Sequence, residues 1–350
     1  MGTLPWYTTR EEVKAAVNSA DTTYNNRQVD RAIEDASRSV DDLCRRVFYP
    51  TLATRYFDWP TNLSPTTWRL WLDADEIISL TSLTSGGTTI ASSDYFLEPV
   101  NDGPPYTHIE IDLDSSAVFK TGDTHQRNIA ATGLFGYENN TVAAGALEAA
   151  IATTATTTVD ITDSSLIGVG SLLNIESERL IVTRRSMLDS GQNLSTSLTA
   201  SAANTTVAVA DGTVFHEDET ILIESERMRI VDISGNNLIV KRAQDGSVLA
   251  AHASPQDIYA PRRLTVVRGV LGTTAATHAD ATAVAVQDYP GPVKALTVAE
   301  AINTIEQETS GYARVVGTGD STRNASGRAL EEKRKYVKRK YGRAPMHGAV

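Results

Sequence analysis

Two carboxylate pairs are the first candidates for chemistry: Glu176-Ser177-Glu178 and Glu224-Ser225-Glu226. In a strand, residues i and i+2 point to one face, so each pair places two acids side by side. Such a pair suits cation binding or acid/base work. Each is followed at once by a basic residue, Arg179 or Arg227, a ready partner for a surface ion pair. The whole pattern also occurs twice, and duplication fits a fold role better than a reactive centre.

The histidines point the same way. There are six, at 108, 125, 216, 252, 278 and 347, and none has the His-x-His, His-Glu-x-x-His or Cys/His spacing of a metal site. His252 and His278 occupy matched positions, each six residues after a matched glycine, Gly246 or Gly272. Arg242 and Arg268 lie four residues before those glycines. A repeated histidine and arginine read as turn-closing groups. There is no Gly-x-Ser-x-Gly elbow and no Walker loop, and Gly317-Thr318-Gly319 lacks a third glycine and reads as linker. Cys44 is the single cysteine, so no intramolecular disulfide can form, and its place on an apolar helix face predicts burial. No catalytic, cofactor-binding or metal residue is assigned, no cofactor is expected, and the chain reads as a non-enzyme.

Charge is distributed unevenly. The formal net charge is −11, yet residues 323–350 carry nine Lys or Arg against two Glu. Residues 1–322 then hold 23 basic and 41 acidic side chains, so an acidic body ends in a basic segment. Such a segment suits a partner of opposite sign. Docking on an acidic protein surface is favoured over DNA contact and over a merely solvated tail, because Tyr336 and Tyr341 form no stacking array. No apolar run approaches the roughly 20 residues of a membrane span, so no membrane partner is expected.

The elements that would position these groups follow from periodicity. Thr8 and Thr9 before Arg10-Glu11-Glu12 mark a helix start. Val29, Ala32, Ile33, Ala36, Val40, Leu43, Cys44 and Val47 form one apolar stripe at spacings of three and four. Short strands are predicted around 55–59, 68–72, 77–83, 88–90, 95–97, 108–113 and 125–137, and a short helix over the alanine-rich 143–152. After Pro290 and Pro292, a helix with an inner stripe of Val293, Leu296, Ala299, Ile302 and Ile305 leaves Glu300, Glu306 and Glu308 outside. Residues 311–327 read as linker, 326–341 as a basic helix, and 342–350 as a mobile tail.

Residues 153–287 have all-β composition and repeat. Ile175-Glu176-Ser177-Glu178-Arg179 recurs as Ile223-Glu224-Ser225-Glu226-Arg227, an offset of 48. Leu238, Val240, Arg242, Gly246, Ala250, His252 and Ala253 recur at an offset of 26, from Leu264 to Ala279. The order is front, front, back, back, which implies one β module set in a loop of another. Separate cores for the two fronts would be the mark of nesting.

The order of parts resembles the phage head-tail connector (head-to-tail adaptor) family of long-tailed bacteriophages. The likeness rests on the amphipathic helix ending Leu43-Cys44-Arg45-Arg46-Val47-Phe48 and on Trp68-Arg69-Leu70-Trp71-Leu72. Ile77-Ile78-Ser79-Leu80-Thr81-Ser82-Leu83, Asp94-Tyr95-Phe96-Leu97-Glu98-Pro99 and Thr132-Gly133-Leu134-Phe135-Gly136-Tyr137 continue it, and the helix after Pro292 closes it. It covers about 1–140 and 288–350. The repeats resemble modules scattered through phage structural proteins, seen here as Ser225-Glu226-Arg227-Met228 and Arg268-Gly269-Val270-Leu271-Gly272-Thr273; the inner copy departs with Ala243 and Ser247.

The resemblance implies an α+β architecture: a small helical bundle as adaptor core, with a large all-β insertion made of two nested, related β modules. The expected divisions are 1–150 as core, 151–203 as the outer module's first part, 204–260 as the inner module and 261–287 as the outer module's second part. Residues 288–322 then form a core helix and linker, and 323–350 the basic helix and tail. It implies a virion protein at the head-tail junction, assembled in the host cytoplasm as a homo-oligomeric ring, usually of twelve subunits. Its partners would be the portal protein and a head-tail stopper or other tail-side connector, with a capsid or decoration protein through 151–287. Genomic DNA would pass through the lumen without sequence-specific binding. Arg328, Lys333, Arg334, Lys335, Tyr336, Lys338, Arg339, Lys340 and Tyr341 would dock on the portal, and Val29, Ile33, Ala36, Val40, Leu43 and Val47 would pack the core helix. The competing expectation is a host- or carbohydrate-binding virion protein acting through its β modules.

Overall fold

The computed structural model describes residues 4–17, 25–60, 66–309, 315–316, 323–324 and 328–343. The protein is α+β. Its elements begin with α1 (Arg10–Val17), α2 (Asn26–Cys44), β1 (Thr51–Phe57), β2 (Arg69–Trp71), β3 (Ile77–Ser85), β4 (Thr88–Ile90), β5 (Tyr95–Glu98), β6 (His108–Ile111) and β7 (Ile129–Phe135). Then come β8 (Thr141–Ala146), β9 (Thr158–Asp160), β10 (Leu172–Ile175), β11 (Glu178–Asn193), β12 (Thr206–Ala208), β13 (Thr220–Ile223), β14 (Glu226–Ser234), β15 (Asn237–Lys241), β16 (Asp257–Val267) and β17 (Ala283–Gln287). Helices α3 (Gly291–Thr309) and α4 (Arg328–Tyr341) follow. No helix among the described residues is long and apolar enough to cross a membrane.

The chain divides into two compact units, 1–38 with 141–331 and 39–140 with 332–350. The expected grouping of 1–150 with 288–322 differs from this. The first turns of the chain pack with the β repeats, and the last helix packs with 39–140.

In the first unit, Thr9 caps α1. Its hydroxyl accepts from the Glu12 N–H at 3.1 Å, and the Glu12 carboxylate accepts from the Thr9 N–H at 3.1 Å. The α2 stripe is as its spacing requires: Val29, Ile33, Ala36 and Val40 are buried. Trp6, Val13, Val29, Ala32, Ile33, Ala36, Val169, Ala301 and Ile305 share one core. Leu43 is half-buried, and Val47 lies past the end of α2. Cys44 is a free, buried thiol. The helix stops because Arg45 turns left-handed at φ 54° and the Arg46 N–H reaches back to the Asp41 carbonyl at 3.2 Å. In α3 the buried set is Val293, Leu296, Thr297, Glu300, Ala301 and Ile305. Glu300 is therefore inside, against expectation: the true 3.6-residue period carries the inner face off a strict three-residue stripe.

One ten-stranded antiparallel sheet runs β12-β15-β14-β13-β16-β11-β10-β17-β8, with β9 also on β16. Strand β16 is used twice. Its start pairs with β13 and the end of β11, and its end pairs with β9 and the start of β11. Two sets of strands with one order result. The set β9, β16 end, β11 start, β10, β17, β8 matches β12, β15, β14, β13, β16 start, β11 end. The strand correspondence thus starts near 141 and 189, ahead of the module starts expected at 151 and 204. Residues 141–146 form an edge strand on β17 and not a helix, with Gly145 in the left-handed region at φ 76°. The sheet is shared but the cores are two. Leu173, Ile175, Leu180, Val182, Leu264 and Val266 belong to one, and Ile221, Ile223, Met228, Ile230, Leu238 and Val240 to the other.

In the second unit, a four-stranded sheet β1-β7-β3-β4 and a three-stranded sheet β2-β6-β5 share a core that includes Phe57, Leu72, Ile77, Leu83, Ile109, Ile129 and Phe135. The Thr132–Tyr137 segment needs its glycines. A Cβ at Gly133 would sit 2.1 Å from the Ser79 carbonyl, where β3 bulges. At Gly136, with φ 135°, an added Cβ would run into the Tyr49 carbonyl.

Candidate functional site

The duplicated acids are structural clasps. Glu226 sits at the start of β14 with its side chain fully buried. Arg242 grips it with two bonds of 2.7 Å, the Ala243 and Ala250 amides donate at 3.0 Å, and His252 Nε2 lies at 2.9 Å. The other ring nitrogen of His252 faces Glu224 at 2.7 Å. The second copy repeats each part. Arg268 grips Glu178 at 2.6 Å, the Gly269 and Ala276 amides donate at 3.0 Å, and His278 bridges Glu178 and Glu176 at 2.8 and 2.7 Å. Burial works against the charge, but the arginine fork, the histidine and the amides outweigh it and hold Glu178 and Glu226 at about 2. Glu178 and Glu226 thus take Arg268 and Arg242 as their fork partners, and the Arg179 and Arg227 beside them in sequence point to the other face of the strand. Arg227 instead lies 3.6 Å from Asp245.

A third buried acid is not duplicated. Glu219, just before β13, takes Arg262 in a fork of 2.9 and 2.7 Å and the Ser164 amide and hydroxyl at 3.0 and 2.7 Å. It therefore fastens the inner strand set to a loop of the outer one. The position matching Glu219 at the offset of 48 is Ser171, and that matching His216 is Gly168. The outer copy of this loop holds the N-terminus instead. Glu11 accepts from the Val169 N–H at 2.8 Å, and Trp6 covers Gly170.

The basic helix α4 is built into the second unit. Val337 and Tyr341 are buried. The Tyr341 ring meets Phe48 at 5.8 Å and Tyr137 at 5.7 Å, and those two meet at 5.2 Å, all edge-on. Arg334 is half-buried and donates to the Ser39 hydroxyl at 3.1 Å. Lys333, Lys335, Tyr336, Lys338, Arg339 and Lys340 are exposed. Thus Tyr341 belongs to the core and not to the outward face, and the Arg328 side chain lies outside the described residues. Arg343 is fixed as well, although 342–350 read as a mobile tail. Its amide donates to the Cys44 carbonyl at 3.0 Å, and its guanidinium lies 3.2 Å from buried Glu76, which Arg46 meets at 3.1 Å. Burial pushes the Glu76 carboxyl up, against the pull of Arg46 and Arg343. Residues 344–350, and most of 311–327, lie outside the described residues.

The second unit also shows apolar surface. Tyr56, Trp71 and Phe96 are 63%, 53% and 51% exposed. Trp71 and Phe96 lie on one face of the three-stranded sheet, opposite His108 and Glu110, with the Trp71 and His108 rings 4.4 Å apart. The strand sets offer little of this kind. Of their two aromatics, Phe215 is buried beneath Arg262 and Tyr259 is half-buried.

The chain matches no protein-family model, no curated protein and no solved structure.

Proposed function

We propose that the chain is a structural virion protein, a head-to-tail adaptor of a long-tailed bacteriophage that closes into a ring, twelve subunits in number, between the portal and a tail-side connector. On this reading α1–α3 are the helical bundle of the adaptor core, and the two strand sets are nested β modules inserted in it. The observation that carries the proposal is α4: a firmly seated helix that exposes Lys333, Lys335, Lys338, Arg339 and Lys340. A helix held by Val337 and Tyr341 loses little freedom when a partner engages Lys333, Lys338 and Arg339. Exposed Tyr56, Trp71 and Phe96 supply the aromatic surface that an interface between copies covers. The portal's matching surface is then acidic, and DNA crosses the lumen without base contacts. The modules reach a capsid or decoration protein. The host- or carbohydrate-binding reading loses ground, because the modules present no aromatic platform.

Truncating the basic segment is the wrong test, since Val337, Tyr341 and Arg343 hold the second unit. Reversing charge on the outward face alone separates docking from folding. The combined Lys333→Glu, Lys338→Glu and Arg339→Glu protein is expected to keep its melting temperature and to leave DNA-filled heads untailed. Normal tailed particles from that variant would end the docking role. Electron microscopy of the purified protein should show closed rings with a central passage, and a pore-less monomer in native particles would end the adaptor reading.

A further inference from the structure

The seam between the two strand sets holds a group of atoms that the clasps do not explain. Asp163 Oδ1, from the outer set, and His216 Nδ1 and Glu219 Oε2, from the inner set, lie within 4.8 Å of one another. His216 Nδ1 is 3.6 Å from Asp163 Oδ1 and 3.9 Å from Glu219 Oε2. That nitrogen is buried and makes no hydrogen bond. The separations are too long for hydrogen bonds. They are near the roughly 3.4 Å edge that bonds of about 2.0–2.1 Å give around a tetrahedral ion.

We propose that Asp163, His216 and Glu219 form a binding site for a divalent transition metal of the zinc class, which staples the two strand sets together. One nitrogen and two carboxylate oxygens match zinc and its neighbours, and the imidazole argues against magnesium or calcium. The His216 ring is 41% exposed, which leaves room for water as a fourth ligand. Second-sphere support is present. Ser164 and Arg262 hold Glu219 in place, and the Ser165 amide donates to Asp163 Oδ1 at 2.8 Å. The charge balance also permits a cation: Asp163 and Glu219 outweigh Arg262 by one. The Arg262 guanidinium shares Glu219 Oε2 at 2.7 Å, so it weakens that ligand and makes the metal a reinforcement of the seam rather than a condition of folding.

The test is thermal unfolding of the full chain, stripped with chelator, at pH 7.5 with zinc chloride or magnesium chloride. Zinc at about 100 times its dissociation constant should raise the melting temperature by roughly 5 °C, and magnesium should not. His216→Ala and Asp163→Asn should each keep the metal-free melting temperature and lose the zinc response. Cobalt(II) should give visible absorption bands of a tetrahedral site in the parent and not in His216→Ala. A zinc response that survives His216→Ala overturns the assignment. So does the absence of any zinc response in the parent chain.

Discussion

Replacing Glu226 by glutamine isolates the electrostatics of one clasp, because the shape is kept and only the charge and one acceptor are lost. The amide nitrogen would stand where Oε2 now accepts from Arg242 Nη2 at 2.7 Å and the Ala250 N–H at 3.0 Å. Two donors lose their acceptor, at about 1–3 kcal/mol each. The Arg242 guanidinium, with its side chain 2% exposed, also loses its counter-charge. Breaking one side of such a buried pair costs about 3–5 kcal/mol, and we expect that range for the inner strand set. Tryptophan fluorescence would not see this, because Trp6, Trp59, Trp68 and Trp71 all lie elsewhere. Urea unfolding by circular dichroism, with hydrogen exchange at Ile221, Met228 and Val240, is the suitable assay. A loss below about 1 kcal/mol for Glu226→Gln would refute the reasoning, since the clasp would then be a surface-like pair.

Other predictions concern pH, packing and backbone. Glu178, Glu219 and Glu226 titrate at about 2 when folded against an ordinary 4.5, so the folded state binds fewer protons than the unfolded chain between those values. Their contribution, ~3 kcal/mol for each, is complete above about pH 4.5 and lost as pH falls toward 2; an acid titration in which Glu178→Gln unfolds with the parent's pH profile would contradict this. Tyr341→Ala should cost about 3–5 kcal/mol in the second unit by removing a ring from the Phe48–Tyr137 pair, with tryptophan fluorescence as readout. Arg45→Gly should stabilise by roughly 1 kcal/mol, since a left-handed helix end costs glycine nothing; a lower urea midpoint would contradict it. Gly133→Ala should shift the second unit's urea midpoint down sharply, and wild-type stability there would mean that Ser79 can give way.

Periodic features were legible in the sequence and non-local pairings were not. The α2 stripe and the short strands of the second unit follow from local alternation, and the repeats follow from the recurrence of Ile-Glu-Ser-Glu-Arg. The partner of Glu226 could not be read so. Arg227 is adjacent and Arg242 is fifteen residues further on, and only the strand pleat decides between them. Glu300 looked external because a strict three-residue stripe was imposed on a helix of longer period. Tyr341 looked like part of a docking face because a basic helix hides its two inward residues among many cations. Alanine over 143–152 suggested helix, although the edge of a waiting sheet took those residues instead. The group at Asp163, His216 and Glu219 left one faint signal, the His-x-x-Glu spacing present in the inner copy and absent from the outer.

Strands β11 and β16 are continuous through both strand sets, and β11 alone has 16 residues, about 50 Å of chain. Their ladder slips at three places, between Val182 and Arg184, Ser186 and Leu188, and Asp189 and Gln192. Each slip adds a bend and extra twist. Like two blades forged on one shaft, the copies are locked at a set angle, and neither can swing to copy the other's heading. A partner that meets the same surface on both must therefore approach from two directions, and a load applied to the outer copy arrives at the inner one as torque as well as tension.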